Sequence, residues 1–194
     1  MIVKRSSVLA TVKTIKAIWY FKRKRKPDGE LLKHKAWIWF HGGMHQWGES
    51  YWETYYPVLN ILSVQLLICI EKIHIFDLKA IKCLLTFPQA KLNKDIWMQL
   101  PVGFQVDGKT KYNSEKRYWL KIEVSLYGLK QASFNWYKKL KKALEYRKYP
   151  TSDIDCCLYL GNCIILWTYA DECIIVGNNM KEIDSFIDSL RNGP

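Results

Sequence analysis

The feature that most constrains the fold is an apolar stretch near the C-terminus, residues 164–177, with the sequence IILWTYADECIIVG. Two runs rich in Ile, Val and aromatic residues flank a short polar centre. Each run has the composition of a β-strand, and the polar centre is typical of a hairpin turn. The stretch therefore predicts two antiparallel strands that carry Asp171 and Glu172 at their turn.

The two carboxylates of this turn admit two interpretations. Neighbouring side chains on a regular strand point to opposite faces, but a tight turn can bring them together. Carboxylates at the tip of an apolar hairpin suit a hard cation such as Mg²⁺. The simpler interpretation is a hairpin with a polar turn, and the stretch alone does not separate the two.

The chain is strongly basic. It has 30 Lys and Arg against 18 Asp and Glu, which gives a net charge of +12 over 194 residues. Such an excess favours a polyanionic partner, and nucleic acid is the first candidate. The chain also has 9 Trp, 12 Tyr and 7 Phe, which supply stacking surfaces as well as core.

Cysteine usage and hydropathy bear on the compartment. The six cysteines include no Cys-x-x-Cys pair, which favours free thiols over zinc or a disulfide framework. The longest nearly apolar run, residues 58–70, is too short to span a bilayer and predicts a buried helix. The N-terminus lacks the apolar core of a signal peptide. We expect an intracellular protein, cytoplasmic or nuclear, with no membrane partner.

Turn signals and apolar periodicity predict the remaining elements. Pro27-Asp28-Gly29 is a strong turn signal between two strand-like runs. Strands are predicted over residues 15–25, 31–40, 73–78, 81–87, 95–100 and 117–124, and helices over residues 58–71, 133–146 and 180–190.

Several segments together resemble one family. SLYGLKQASFNWY (125–137) is similar to the SLYGLKQA…WY hallmark of copia-type retrotransposon reverse transcriptases. The other similar segments, in the family's order, are KRKRKPDGELLKHKAW (22–37), YWETYYPVLNILSVQLLI (51–68), LLTFPQAKLNKDIWMQLPVGF (84–104), DIDCCLYL (153–160) and TYADECIIVG (168–177). A lone match to the Tyr-x-Asp-Asp pattern is weak, but these motifs in one order are specific. The resemblance covers about residues 13–194.

The resemblance implies an α+β fold, the fingers and palm of a right-hand polymerase, with an antiparallel palm sheet backed by helices. It implies one domain over residues 1–194, with fingers at about residues 13–56 and palm at about residues 57–194. The family is an RNA-directed DNA polymerase that uses a template–primer of RNA or DNA, dNTP and Mg²⁺. Because the chain stops after the palm helix, we expect the thumb and RNase H regions of the polyprotein to be absent.

The family's three metal-binding Asp residues match this chain imperfectly. Asp171 matches the first Asp of the Tyr-Val-Asp-Asp turn, and Glu172 stands where the second is expected. The remaining Asp is expected five residues before Phe87, where this chain has Lys82. Asp77 is the alternative, but an odd offset places it on the other strand face, about 16 Å away. The resemblance thus implies metal binding by Asp171 and Glu172, weakened by Lys82.

Other family positions concern the nucleotide and the nucleic acid. Phe87 matches the aromatic residue under the incoming sugar, or alternatively is a core residue. Trp37 stands where an Arg that binds the triphosphate is expected. The candidates for nucleic-acid contact are Lys130 and Gln131, which otherwise form a solvated turn, and the basic residues Lys22, Arg23 and Lys24, which otherwise belong to a charged hairpin or a nuclear-localisation signal.

These substitutions predict a reverse transcriptase domain whose catalysis is defective. The alternative is a non-catalytic remnant that binds nucleic acid. The two differ in whether any Mg²⁺-dependent incorporation of dNTP can be measured.

Overall fold

A computed structural model describes residues 1–8, 12–58, 60–104 and 118–192. The chain forms two compact units, which we call unit 1 (Met1–Thr54 and Phe87–Asn135) and unit 2 (Tyr55–Thr86 and Trp136–Pro194). The mixed helix-and-strand class expected from the sequence is confirmed. The division into fingers and palm stays a prediction.

Unit 1 contains a four-stranded sheet and a two-stranded hairpin. Its strands are β1 (Ile2–Lys4), β2 (Thr14–Ile15), β3 (Ala17–Arg25), β4 (Leu31–Phe40), β6 (Lys91–Gln99) and β7 (Tyr118–Val124). The sheet has the order β1-β7-β6-β2, and only its β2–β6 pair is parallel. Buried apolar side chains pack around Phe40, Ile96 and Met98 to form the core of this unit.

The predicted N-terminal hairpin is confirmed. Strands β3 and β4 pair from Ala17↔Phe40 to Arg25↔Leu31. The turn uses Gly29 at φ +89°, a conformation that glycine adopts without steric cost. The carboxylate of Asp28 accepts a hydrogen bond of 2.9 Å from the Glu30 N–H, as Asp commonly does in turns.

Unit 2 is built on a second four-stranded sheet. Its elements are α1 (Ile61–His74), β5 (Asp77–Lys82), most of α2 (Ala132–Tyr146), β8 (Leu158–Leu160), β9 (Ile164–Tyr169), β10 (Glu172–Gly177) and α3 (Met180–Arg191). The sheet is antiparallel throughout, in the order β5-β10-β9-β8. The long apolar strands that the sequence predicts are therefore β9 and β10.

Helices complete the core of unit 2. Leu67 of α1 packs with Trp167 and Val176 of the sheet. On α3, Ile183, Phe186 and Ile187 are buried, as their spacing of three and four residues predicts. The Asn179 side chain caps α3 by accepting a hydrogen bond of 3.0 Å from the Glu182 N–H.

Two expectations about residues 58–87 are wrong. Helix α1 runs to His74 and ends where Ile75 adopts a left-handed conformation (φ 54°), so one strand, β5, replaces the two expected over 73–78 and 81–87. Helix α1 is also not a buried helix, because among its described residues only Leu67 is buried.

The predicted strand at 117–124 begins at residue 117, which lies outside the described residues. None of the described helices is long and apolar enough to cross a membrane.

A close backbone approach in unit 1 generates a test of stability. Gly128 has φ +93°, and a Cβ atom there would lie 2.2 Å from the Phe40 carbonyl oxygen. We expect Gly128→Ala to lower the free energy of unfolding by about 2–4 kcal/mol, through strain and overpacking together. Urea denaturation measures this loss.

Gly103→Ala is the matched control. Gly103 has a similar φ of +82°, but nothing lies within 4 Å of the added Cβ. It should therefore cost only about 1 kcal/mol, the backbone part of the effect. Equal losses for the two variants would show that contact with Phe40 does not constrain position 128.

Candidate functional site

The turn between β9 and β10 carries Asp171, and Glu172 is the first residue of β10. Tyr169 pairs with Glu172, which leaves Ala170 and Asp171 as the two central residues of the turn. Ala170 has φ 51°, the positive value that the first central residue of a tight hairpin turn requires. The hairpin predicted for residues 164–177 is confirmed.

The backbone of this turn is held by three hydrogen bonds from other parts of unit 2. The Ala170 N–H donates to the hydroxyl oxygen of Tyr56, and the Ala170 carbonyl accepts from Nε1 of Trp136 at 2.7 Å. The Cys83 N–H donates to the Asp171 carbonyl at 2.6 Å. Burial raises the pKa of Tyr56 to about 12, so its hydroxyl stays protonated at neutral pH.

Lys82 lies beside both carboxylates. It is the residue of β5 that pairs with Glu172 of β10. Its Nζ lies 2.7 Å from Oδ2 of Asp171 and 3.0 Å from Oε1 of Glu172. Its hydrogen bonds to Asp171 and then to Glu172 raise the pKa of Lys82 above its usual value, so the ammonium is charged at neutral pH.

Asp77 occupies the opposite end of the same strand. It pairs with Gly177, whereas Lys82 pairs with Glu172. Because successive side chains alternate between the faces of a strand, Asp77 and Lys82 also point to opposite faces of the sheet. The geometry therefore brings Lys82, and not Asp77, to the two carboxylates.

The side chains around this turn do not fit a divalent metal. A Mg²⁺ ion needs oxygen ligands in near-ideal octahedral geometry, and here an ammonium group contacts both carboxylates that could supply them. Among the residues that the structure describes, no group of three or more His, Cys, Asp and Glu side chains is placed to hold a metal ion. The arrangement is a compact ion-paired cluster, with partly exposed side chains.

Comparison with known proteins identifies the family of this chain. The family described as "Reverse transcriptase (RNA-dependent DNA polymerase)" matches residues 3–193, nearly the whole chain. The chain belongs to the reverse transcriptase family. No solved structure shows significant similarity to it.

Relatives among retrotransposon polyproteins narrow the assignment. The retrovirus-related Pol polyprotein from transposon TNT 1-94 of Nicotiana tabacum is 30% identical over 170 residues, 85% of this chain. Those from transposons RE1 and RE2 of Arabidopsis thaliana are each 28% identical over 176 residues, 89% of this chain. The chain spans about 12% of the length of each relative. It corresponds to the reverse transcriptase domain of copia-type Pol polyproteins.

The two expected nucleotide-binding positions of this reverse transcriptase domain lie in unit 1. Phe87 is partly buried against the core of that unit, and its ring meets Tyr127 edge-on with centroids 5.0 Å apart. Trp37 lies on β4, half-buried, with its ring 4.5 Å from that of Tyr20. The nucleotide-binding roles of Phe87 and Trp37 stay predictions.

In the turn that carries Lys130 and Gln131, the lysine is exposed and the glutamine is packed. Gln131 is buried, and its Nε2 donates to the Ser50 carbonyl at 3.0 Å. The Lys130 Nζ donates to the hydroxyl of Tyr51 at 3.0 Å and lies over the Tyr51 ring. These contacts already engage both side chains within unit 1, and their role toward nucleic acid stays a prediction.

The basic residues of the hairpin are divided between its faces. Lys22 and Lys24 share one face, and Arg23 lies on the other, opposite His34. All three are exposed. The basic run in the sequence therefore contributes to two separate charged surfaces of the hairpin. Contact with nucleic acid stays a prediction for each surface.

Sequence reasoning did not connect Tyr56 or Trp136 with the acidic turn, whose backbone they bind. Both lie within motifs that resemble the family, Tyr56 in YWETYYP and Trp136 in SFNWY. The available signal was an aromatic residue with a polar group in an apolar setting, since buried Tyr and Trp side chains usually find a hydrogen-bond partner.

The ion-paired cluster generates a test with terbium, a hard cation whose luminescence is excited through nearby Trp such as Trp136. We expect the unmodified chain to show no saturable terbium site at this turn. Lys82→Asp should bind terbium saturably, at least about ten-fold more tightly than the upper limit that the titration sets for the unmodified chain, because ligand charge sets affinity for hard cations. Terbium titration followed by luminescence measures the affinity of the variant and the limit for the unmodified chain.

Lys82→Ala is the control, because it removes the ammonium without adding a carboxylate. It should bind terbium more weakly than Lys82→Asp and more tightly than the unmodified chain. Saturable binding by the unmodified chain that is as tight as that of Lys82→Asp would contradict the account of Lys82 given above.

Proposed function

We propose that this chain is a reverse transcriptase domain that binds nucleic acid and does not extend a primer. The observation that carries the proposal is the position of the Lys82 ammonium, within 3.0 Å of both Asp171 and Glu172. The family resemblance expects a third metal-binding carboxylate at Lys82, and the chain instead carries a cation there.

Charge explains why this substitution is severe. The carboxylates of a polymerase must be free to hold cations that balance the negative charge of the reacting phosphates. Here Lys82 neutralises one carboxylate charge internally and repels any further cation at the same place. Each factor of ten in rate is about 1.4 kcal/mol of barrier, so the loss of a few such contributions removes measurable turnover.

Two further differences from the family pattern also support a loss of catalysis. Glu172 keeps the charge of the expected Asp but extends it by one methylene, which displaces its oxygens. Trp37 replaces an expected Arg and offers no bidentate donor to a triphosphate. A dNTP substrate is therefore a weaker expectation for this chain than a template–primer of RNA or DNA.

The architecture supports the assignment of fingers and palm that accompanies this proposal. Unit 2 contains an antiparallel sheet with helices, the arrangement expected of a palm, and the acidic turn joins two of its strands. Unit 1 contains the basic hairpin expected of fingers. Residues 13–56 as fingers and 57–194 as palm remain part of the proposal.

Primer extension tests the catalytic part. We expect no detectable incorporation of dNTP with Mg²⁺ by the unmodified chain or by Glu172→Asp, because both keep Lys82 against Asp171. Lys82→Asp combined with Glu172→Asp is the minimum repair. Extension of a labelled primer on an RNA template, resolved on a gel, measures the product.

Asp77→Ala is the control variant for the alternative register. If the unmodified chain extends a primer and Asp77→Ala abolishes that activity, then Asp77 is the working carboxylate and the proposal is wrong. Extension that survives Asp77→Ala also refutes the proposal, because it would show that Lys82 does not prevent catalysis.

The salt dependence of binding tests the nucleic-acid part. The net charge of +12 leads us to expect weak binding without sequence preference. With roughly 3–6 phosphates neutralised, log K should fall against log[salt] with a slope of about −2 to −5. Fluorescence anisotropy of labelled oligonucleotides at several salt concentrations measures the slope, and an affinity independent of salt would contradict contact with phosphates.

A further inference from the structure

Two cysteine side chains meet at the end of the unit 2 sheet that carries the acidic turn. Cys173 lies on β10 directly opposite Ile81 of β5, and Cys83 follows Ile81 by two residues. Residues two apart along a strand share a face, so Cys83 and Cys173 are diagonal neighbours on one face of the sheet. By the same alternation, Lys82 and Glu172 point to the other face. We call Cys83 and Cys173 together the strand dithiol.

Hydrogen bonds hold the strand dithiol together. The Cys83 N–H donates to the Asp171 carbonyl at 2.6 Å, which extends the pairing of β5 with β10 by one residue beyond Lys82. The S–H of Cys173 donates to the sulfur of Cys83. The two sulfur atoms are therefore already neighbours in the reduced chain.

The two thiols differ in their access to solvent. Cys83 is half-buried, whereas Cys173 is only 4% exposed. A small oxidant in solution can therefore reach the Cys83 sulfur, whose hydrogen-bonded neighbour is the buried Cys173 thiol. Redox-sensitive cysteines commonly combine an accessible thiol with a second thiol that resolves its oxidised form.

The other four cysteines provide an internal comparison. Three of them are exposed: Cys69, Cys156 and Cys163. Cys157 is buried, and its thiol donates to the Pro57 carbonyl at 3.8 Å. If exposure alone decided oxidation, the three exposed thiols would react in preference to Cys83. Exposure and contact between thiols therefore predict different products.

We propose that Cys83 and Cys173 form a site of reversible oxidation, at which hydrogen peroxide converts the strand dithiol into an intramolecular disulfide. This inference goes beyond the proposed function and does not depend on it. The sulfur of Cys83 is the one that reacts with the peroxide, because it is the more accessible of the two. Cys173 then acts as the resolving thiol.

The reaction has two steps. The Cys83 thiol gives up its proton, its sulfur attacks one peroxide oxygen, and the O–O bond breaks; the hydroxide that leaves takes up that proton as water. The Cys173 sulfur then attacks the sulfur of the sulfenic acid, forms the S–S bond and expels hydroxide, which leaves with the Cys173 proton as a second water. In total the two thiols lose two electrons, and hydrogen peroxide is reduced to two molecules of water.

The edge position of β5 leaves room for the bond to close. A disulfide is about 2.05 Å long, so the sulfurs must move closer together than in a hydrogen bond. Strand β5 lies at the edge of the order β5-β10-β9-β8, and Cys83 follows its last residue. Its backbone is therefore held by the sheet on one side only, and rotation of the two side chains with a small shift of this edge closes the bond.

The disulfide would join the two separate chain segments of unit 2. Cys83 belongs to the segment Tyr55–Thr86 and Cys173 to the segment Trp136–Pro194. A cross-link between distant residues stabilises a protein mainly by restricting the unfolded chain. Oxidation should therefore tie β5 to β10 beside the acidic turn, on the face opposite Lys82 and Glu172.

The first experiment maps disulfides in the full chain after treatment with hydrogen peroxide. Remaining thiols are blocked with N-ethylmaleimide in urea, and the chain is digested without reductant by trypsin and a protease that cleaves before Asp. This digest leaves Cys83 within residues 83–91 and Cys173 within residues 171–181. Mass spectrometry should find these two peptides joined at least about ten-fold more abundantly than any other cysteine pair, because a disulfide forms between cysteines that are already close.

Thermal unfolding gives a second readout that does not depend on peptide mapping. The oxidised chain should have a Tm at least about 4 °C above that of the reduced chain, because the cross-link constrains the unfolded state. Dithiothreitol should return the Tm to the value of the reduced chain, since a free thiol reduces a disulfide by exchange.

Single variants separate the roles of the two cysteines. Cys173→Ala removes the resolving thiol, so Cys83 should remain a sulfenic acid that dimedone labels, and oxidation should not raise the Tm. Cys163→Ala is the matched control, because it removes an exposed thiol, and it should behave as the unmodified chain does. Circular dichroism of each reduced variant checks that it is folded, and if Cys173→Ala does not fold, peptide mapping of the unmodified chain decides the question.

Three outcomes of these experiments would overturn the inference. Labelling of both Cys83 and Cys173 by N-ethylmaleimide after peroxide treatment, or a sulfenic acid that persists on Cys83 of the unmodified chain, would show that the two sulfurs do not join. Joined peptides that contain Cys69, Cys156 or Cys163 in preference to the strand dithiol would show that exposure directs oxidation. Each of these outcomes leaves the proposed function intact, because primer extension and oligonucleotide binding are measured on the reduced chain.

Discussion

The geometry of the acidic site depends on hydrogen bonds to the backbone of its turn, not on the acidic side chains themselves. Tyr56, Trp136 and the Cys83 amide bind three backbone groups of Ala170 and Asp171. The left-handed conformation of Ala170 costs about 1–3 kcal/mol, and these hydrogen bonds offset part of that cost. They come from three distant segments of unit 2, and together they fix where any side chain at positions 171 and 172 can reach.

In this arrangement, the backbone determines where the strands lie, and the side chains determine the charge at the turn. The pairing of Lys82 with Glu172 is set by backbone ladders that run from Cys173↔Ile81 to Gly177↔Asp77. The side chain at position 82 takes no part in these ladders, and its ammonium group pairs with the two carboxylates nearest to it. The strand pairing and the charges at this turn are therefore set by different groups, and it is the side chains placed at a site that decide its function.

The sequence predicted the elements with strong local signals and missed what depends on distant contacts. The β9–β10 hairpin, the turn at Gly29 and helix α3 each follow from residues close together in the chain. The end of α1 at Ile75 was missed, because a β-branched residue seldom adopts a left-handed conformation. The binding of Ala170 by Tyr56 was also missed, because it joins residues 114 positions apart and leaves no periodic pattern.

The two compact units are interleaved along the chain, and this order constrains how the protein is made. Each unit takes one segment from before residue 87 and one from after it. Strand β5 pairs with a strand about ninety residues later, as the Lys82–Glu172 contact shows. During synthesis, β5 therefore stays without its partner strand while the second segment of unit 1, residues 87–135, emerges. High contact order of this kind slows folding and prolongs exposure of unpaired edges, so the nascent chain passes through a long interval in which chaperones and aggregation compete for it.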